Sequence, residues 1–155
     1  SLASVNASVI NTNIESLAVA KVDEERNISR ITISTNGTKS VIEQIKAQLL
    51  KLVPVHKVAE FKIDDNSIFK ELALIKFVGG ADLLQNAEKI CVDFKVEFLD
   101  KTPLSFVAQI VSSRREIDDF IKKAKPFGLA SITRTGPLAM TKGSETIKDN
   151  KGKVL

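Results

Sequence analysis

From Ile28 to Thr35 the side chains alternate, with Ile31 and Ile33 apolar against Arg30, Thr32 and Ser34, and that period of two predicts a strand. Upstream, the apolar positions Ile14, Leu17, Val19 and Val22 alternate with one break and predict a strand from Ile14 to Val22. The charged run Asp23 to Asn27 between them reads as a hairpin loop. Earlier still, Leu2, Val5, Val9 and Ile10 recur at helical spacing, so residues 1–10 read as a short helix stopped by the turn cluster Asn11-Thr12-Asn13. After the hairpin come a turn signal, Asn36-Gly37, and an N-cap, Thr38. Val41, Ile42, Ile45, Leu49 and Leu52 then form the apolar stripe of a helix over residues 39–52, which Pro54 ends because proline cannot continue the hydrogen-bond ladder. Val55 to Phe61 is expected to be a further strand.

The second half opens with a nearly continuous apolar strand, Leu72 to Val78, closed by Gly79-Gly80. Leu83, Leu84, Ala87, Ile90 and Cys91 put a helix over residues 81–92. Lys95 to Leu99 and Leu104 to Val111 flank a Lys101-Thr102-Pro103 turn and predict a hairpin. Ser113 with Glu116 is a capping box, in which the Ser hydroxyl accepts from the Glu amide while the Glu carboxylate reaches back. Ile117, Phe120, Ile121 and Ala124 give the following helix one apolar face, and Pro126 and Gly128 close it. Leu129 to Arg134 is a last strand, with an extension through Leu138 to Met140.

The second half therefore runs strand, helix, strand, strand, helix, strand. The first half runs helix, strand, strand, helix, strand, the same order without an opening strand. This is an internal repeat of the split βαβ, ferredoxin-like arrangement. The fold class that follows is α+β, two tandem ferredoxin-like (βαββαβ) domains, the first lacking its opening strand in this chain. Domain boundaries are expected at residues 1–62 and 69–140, with Asp64-Asp65-Asn66 in the linker and 141–155 a flexible tail rich in Lys, Asp and Gly. A unit of this size is near the limit for burying its own core, so pairing between units or chains is favoured. The missing strand implies further residues upstream, or a donor strand from another chain.

Composition adds limits. Of 155 residues, 43% are apolar and 27% charged, which is globular composition. With no Trp or Tyr, the core rests on Ile, Leu, Val and Phe. A single cysteine, Cys91, excludes an internal disulfide and fits a reducing compartment, with cytosol the default. No apolar stretch approaches the roughly 20 residues that span a bilayer. A net charge of +4, spread among carboxylates, is a poor footprint for nucleic acid.

Candidate chemistry is sparse. No base can be paired with Ser16 to make a nucleophile, and Glu15 reads as structural. His56 is the only histidine, too few ligands for a metal with one distant Cys. Cys91 falls on an apolar helix face and reads as a small buried hydrophobe. Gly79-Gly80 lacks the Lys-Ser/Thr ending of a phosphate loop and reads as a strand-to-helix turn. Arg114-Arg115 opposes a helix dipole and reads as a solvated face. Asn13 is a turn former on its own sequence. Neither a catalytic site nor a cofactor is expected.

Several segments resemble the regulatory small subunit of acetolactate synthase (acetohydroxyacid synthase). They are Asn13-Ile14-Glu15-Ser16-Leu17, Ser29-Arg30-Ile31-Thr32-Ile33, Ile42-Glu43-Gln44-Ile45 and Leu49 with Lys51-Leu52-Val53. Glu71-Leu72-Ala73-Leu74-Ile75-Lys76 resembles the opening strand of that family's second domain, and Arg134-Thr135-Gly136 its closing motif. The resemblance implies an N-terminal ACT domain and a second ferredoxin-like domain. It implies no catalysis of its own. It also implies a homodimer through the ACT domains, a thiamine-diphosphate-dependent catalytic large subunit as partner, and feedback inhibition by valine or another branched-chain amino acid bound at the dimer seam. Carried over by position, the effector contacts are Asn13 and Ile14 at the corner, with backbone N–H donors at Ser1 and Leu2. Such donors at a helix start suit a carboxylate. The family's upstream Asn-x-x-Gly turn lies outside this sequence. In plants and algae the same family works in plastids. Two other readings are an assembly and activation subunit without effector sensing, and an RNA-binding ferredoxin-like module. The latter needs exposed aromatic residues on the sheet, and none of the eight Phe falls in such a signature.

Overall fold

A computed structural model describes residues 14–52, 55–63, 66–148, 152 and 154. The expected helix over 1–10, the cluster Asn11-Thr12-Asn13, Pro54 and Asp64-Asp65 lie outside the described residues. Two compact units emerge: one runs to Ile68 and takes up the chain again from Ala139, and the other is Phe69–Leu138.

In the first unit, β1 (Ile14–Asp23) pairs antiparallel with β2 (Ile28–Thr35), close to the expected bounds. The register sets Leu17 opposite Ile33 and Val19 opposite Ile31. Opposed residues share a face of a pleated ribbon, so these four make one apolar face, while Ala18 with Thr32 and Ala20 with Arg30 lie on the other. The connecting loop turns on Asn27, whose φ of 52° is a conformation Asn tolerates. Helix α1 (Lys39–Leu50) starts where expected, with the Thr38 hydroxyl accepting from the Val41 N–H at 3.4 Å. It stops earlier than expected. The Lys51 N–H turns to Gln48 O at 3.2 Å and the Leu52 N–H to Leu49 O at 3.1 Å, so a tightened last turn ends the helix before Pro54 is reached.

The strand expected over Val55 to Phe61 does not form. Val55, Val58 and Phe61 are half-buried with exposed residues between them, a period of three, whereas a half-buried strand shows a period of two.

The second unit matches its expected order closely. β3 (Ser67–Val78), α2 (Ala81–Asp93), β4 (Glu97–Thr102), β5 (Ser105–Ser112), α3 (Arg114–Ala124) and β6 (Leu129–Arg134) follow in sequence. The sheet order is β4-β5-β3-β6, all neighbours antiparallel, and β7 (Leu138–Thr141) pairs with β3 off this path. This is the ferredoxin-like arrangement, with the first and third strands of the unit side by side. The hairpin is shifted from its expected place. Phe94 caps α2 and Lys95 takes φ 52° to leave the helix, so pairing begins only at Glu97. At the other end Thr102 still pairs with Ser105, and its hydroxyl accepts from the Leu104 N–H at 3.3 Å, which leaves Pro103-Leu104 as a two-residue loop.

Alternate residues of β3 and β5 build the core: Ala73, Ile75 and Phe77 with Phe106, Ala108 and Ile110. Leu84, Ala87 and Cys91 of α2 and Ile117, Phe120 and Ala124 of α3 cover them. The Phe77 and Phe106 rings stack at 4.6 Å, and Phe120 meets Phe77 edge-on at 6.4 Å. The predicted capping box is present at the start of α3. Gly128 is required where it stands: it has φ 79°, its carbonyl accepts from the Val78 N–H at 2.8 Å, and a Cβ there would lie 2.6 Å from Val78 O.

Candidate functional site

The corner singled out in the sequence is partly described. Ile14 opens β1 opposite Thr35, and an irregularity in register follows before Ser16 meets Ser34. Such a bulge re-aims the side chains at the strand's start. The Glu15 carboxylate accepts a hydrogen bond from Asn36 Nδ2, tying the first residues of β1 to the turn that leads into α1. The corner is therefore bounded by Ile14, Glu15, Asn36 and the capped N-terminus of α1 at Thr38. Ser1, Leu2 and Asn13 lie outside the described residues. Asn36 was legible only as a turn former; nothing in the sequence paired it with Glu15.

The two ends of the second unit's motif residues meet. The Arg134 guanidinium donates to both oxygens of Glu71, Nε to Oε1 at 2.7 Å and Nη2 to Oε2 at 2.9 Å, and its Nη1 reaches Asp118 Oδ1 at 2.6 Å. Glu71 is 3% exposed. Its carboxylate, and next that of Asp118, hold the guanidinium charged more firmly than usual. Beside this pair the Thr135 N–H donates to Leu72 O at 3.0 Å, and the Thr135 hydroxyl accepts from the Leu72 N–H at 3.1 Å. Residues 63 positions apart are thus locked by a bidentate ion pair and by backbone bonds. The arrangement holds the ends of β3 and β6 together. It offers no acid–base chemistry, because both Glu71 oxygens are engaged.

The other candidates resolve simply. The Cys91 thiol is buried, and burial together with the nearby Glu88 pushes it up to about 11, so it is not a nucleophile at neutral pH. His56 is exposed. Among the described residues no three His, Cys, Asp or Glu side chains gather in a way that could hold a metal. The Gly79 N–H is engaged with Leu104 O at 3.0 Å, so this amide is not available to a phosphate. Among the described residues no helix is long and apolar enough to cross a membrane.

Comparison with known proteins now adds what geometry alone does not. Residues 8–57 match the model of the AHAS small subunit-like ACT domain, and residues 70–143 match that of the small subunit of acetolactate synthase. The acetolactate synthase small subunit of Mycobacterium bovis is 32% identical over 87% of this chain and 79% of its own length. That of Haemophilus influenzae is 32% identical over 87% of this chain and 82% of its own. The chain belongs to the acetolactate synthase small-subunit family. A probable small subunit from Archaeoglobus fulgidus is 30% identical over 86% of the chain. The crystal structure of the Thermotoga maritima small subunit superposes with a TM-score of 0.79 at 29% identity, covering 89% of this chain and 85% of that one. Two ferredoxin-like units, the first an ACT domain, are therefore the architecture of this small subunit. These relatives are named as small subunits and not as the catalytic one. The Glu71–Arg134 lock lies inside the matched second unit.

Proposed function

We propose that this small subunit is the regulatory partner of an acetolactate synthase. It binds the thiamine-diphosphate-dependent catalytic large subunit, raises its activity and confers feedback inhibition by valine or another branched-chain amino acid. The observation that carries the reading is family membership through both halves of the chain at once, residues 8–57 and 70–143. Homodimerisation through the ACT units is part of the proposal. The apolar face of Leu17, Val19, Ile31 and Ile33 supports it only to this extent: an isolated two-stranded ribbon is marginally stable and needs cover.

The effector site is proposed at Asn13 and Ile14, with backbone donors at Ser1 and Leu2. An Asn amide both donates and accepts, so it suits the polar end of an amino acid. Effector bound across the seam favours one dimer geometry, and linkage requires that the catalytic partner prefer one geometry too, typically with about 1–3 kcal/mol of coupling. One methylene in an apolar pocket is worth about 1–3 kcal/mol, so the effector is left open within the branched-chain class. The relatives named above are bacterial and archaeal, so a plastid setting draws no support from them.

The test is reconstitution with a cognate catalytic subunit, with and without valine, leucine or isoleucine. Raised activity that falls with one of these is the expected result. Raised activity with no amino-acid response would make the chain an assembly subunit, and no activation would remove the regulatory reading. Titration of the effector into Asn13→Ala, with binding unchanged, would take Asn13 out of the site.

A further inference from the structure

We propose that the open face of the second unit's sheet packs against the same face of a second copy of this chain, about a two-fold axis running along β5. The unit's two helices cover the other face, where alternate residues of β3 and β5 build the core. Side chains alternate along a strand, so the residues between those point away from the helices. On β3 and β5 they include Leu72, Leu74, Val78, Val107 and Val111. An antiparallel sheet with one face in water normally carries polar residues there. Here Val78 is 46% exposed and Val111 53%, and the register sets Val111 opposite Leu72. An exposed apolar stripe of this kind marks an interaction surface.

The charges on the face identify a second copy as its cover. Val107 has two register partners, Lys76 on β3 and Asp100 on β4. Residues opposed across a ladder share a face, so these three form one row. Lys101 bears out the alternation: it stands opposite Phe106, and its Nζ reaches Glu88 of α2 at 2.8 Å, on the helix side. Glu97 adds a second anion to the β4 side of the open face, where its carboxylate accepts from Gln109 Nε2 at 3.0 Å. The row thus carries an exposed cation and an exposed anion on either side of β5.

Sheets packed face to face lie about 10 Å apart with their inner side chains interdigitated. A two-fold axis along β5 brings β4 of one copy over β3 of the other, and β5 over β5. Asp100 of each copy then stands over Lys76 of the other, twice by symmetry, while Val107 and Val111 meet their own counterparts. An isologous contact must be self-complementary, and this row is. The contact lies wholly within Phe69–Leu138 and needs nothing of the first unit. It therefore stands apart from the ACT seam and the effector site proposed above.

Cross-linking of the full chain tests it. Cys91 is buried, so the unsubstituted chain is the blank. In Val107→Cys and in Val111→Cys, both on the axis, a short bis-maleimide should join two copies. Thr133, the register partner of Leu74 on β6, shares the face but lies far from the axis, so Thr133→Cys should not cross-link. Added to Val107→Cys, Lys76→Glu or Asp100→Lys should each lower the yield several-fold. Mixing those two proteins should restore it, because each anion again meets a cation across the axis. Far-ultraviolet dichroism checks that every variant stays folded. No cross-link at Val107 and Val111, or an equal yield at Thr133, would overturn the proposal. A yield indifferent to both charge variants, or one that mixing fails to restore, would overturn the pairing of Asp100 with Lys76 that selects a second copy. The readout sits in the second unit alone, so a failed ACT seam leaves it unchanged and the two readings fail separately.

Discussion

The Glu71–Arg134 pair shows what a single contact can decide. Its two residues lie 63 positions apart in sequence and meet on neighbouring strands, and Glu71 is almost wholly shielded from water. Removing only the cation strands a buried carboxylate. Arg134→Ala should therefore cost about 3 kcal/mol, the low end for a broken buried pair because the guanidinium keeps some solvent. Replacing both residues, as Glu71→Met with Arg134→Met, should recover most of that loss, since no uncompensated charge remains; urea unfolding of the three proteins checks this. Cys91 makes a second residue-scale prediction. With its thiol pushed up to about 11, it should resist alkylation at pH 8 in the native protein and react once unfolded. The sign follows: the neutral thiol favours the folded state, and that contribution is lost as pH rises from the ordinary thiol value of 9.0 towards 11. Thiol titration with and without denaturant measures both effects.

At the scale of elements, α3 is the clearest case of sequence written into structure. Its capping box was readable from Ser113 and Glu116 alone, because both partners lie within one turn. The structure adds a third member: the Ser112 hydroxyl also donates to the Glu116 carboxylate. That bond, then the Ser113 hydroxyl and amide, holds the Glu116 carboxyl below the usual value. A lowered carboxyl stabilises the fold above its ordinary value, and the contribution fades as pH falls through the lowered one. Ser113→Ala should thus cost about 1 kcal/mol at neutral pH and less in acid. In Ser112→Ala the Glu116 titration should move upward, as read by carboxyl NMR. By contrast, Val55 to Phe61 was misread as a strand. A strand needs a neighbour to complete its ladder, and no run of residues specifies its neighbour.

Across the whole molecule, the packed centre of the second unit is a layer of helices on one sheet face. Phe120 contacts rings from the sheet and from the end of α2, Phe77 and Phe94. Phe120→Ala should cost about 3–5 kcal/mol by leaving a cavity that the surrounding elements cannot fill. Thermal unfolding followed by near-ultraviolet absorbance of the Phe rings, with far-ultraviolet dichroism, measures it. In the first unit the ribbon keeps Leu17 and Val19 about half exposed, at 48% and 53%. If the proposed ACT dimer forms, sedimentation equilibrium in the micromolar range should return twice the chain mass of 16.9 kDa. A single-chain mass across that range would remove the dimer from the proposal.

By itself the sequence determined the order of elements in the second unit, the two-fold repeat, the caps, the burial of Cys91 and the family. All of these are written in local periodicity or in short collinear motifs. Only the tertiary structure decided that Glu71 meets Arg134, that Asn36 reaches Glu15, that Arg26 takes the Val154 carbonyl and that residues 55–62 form no strand. Each of these depends on which distant backbone lies alongside. Pairing across long separations is a property of the closed chain, while side-chain periodicity reports only which face of an element is apolar.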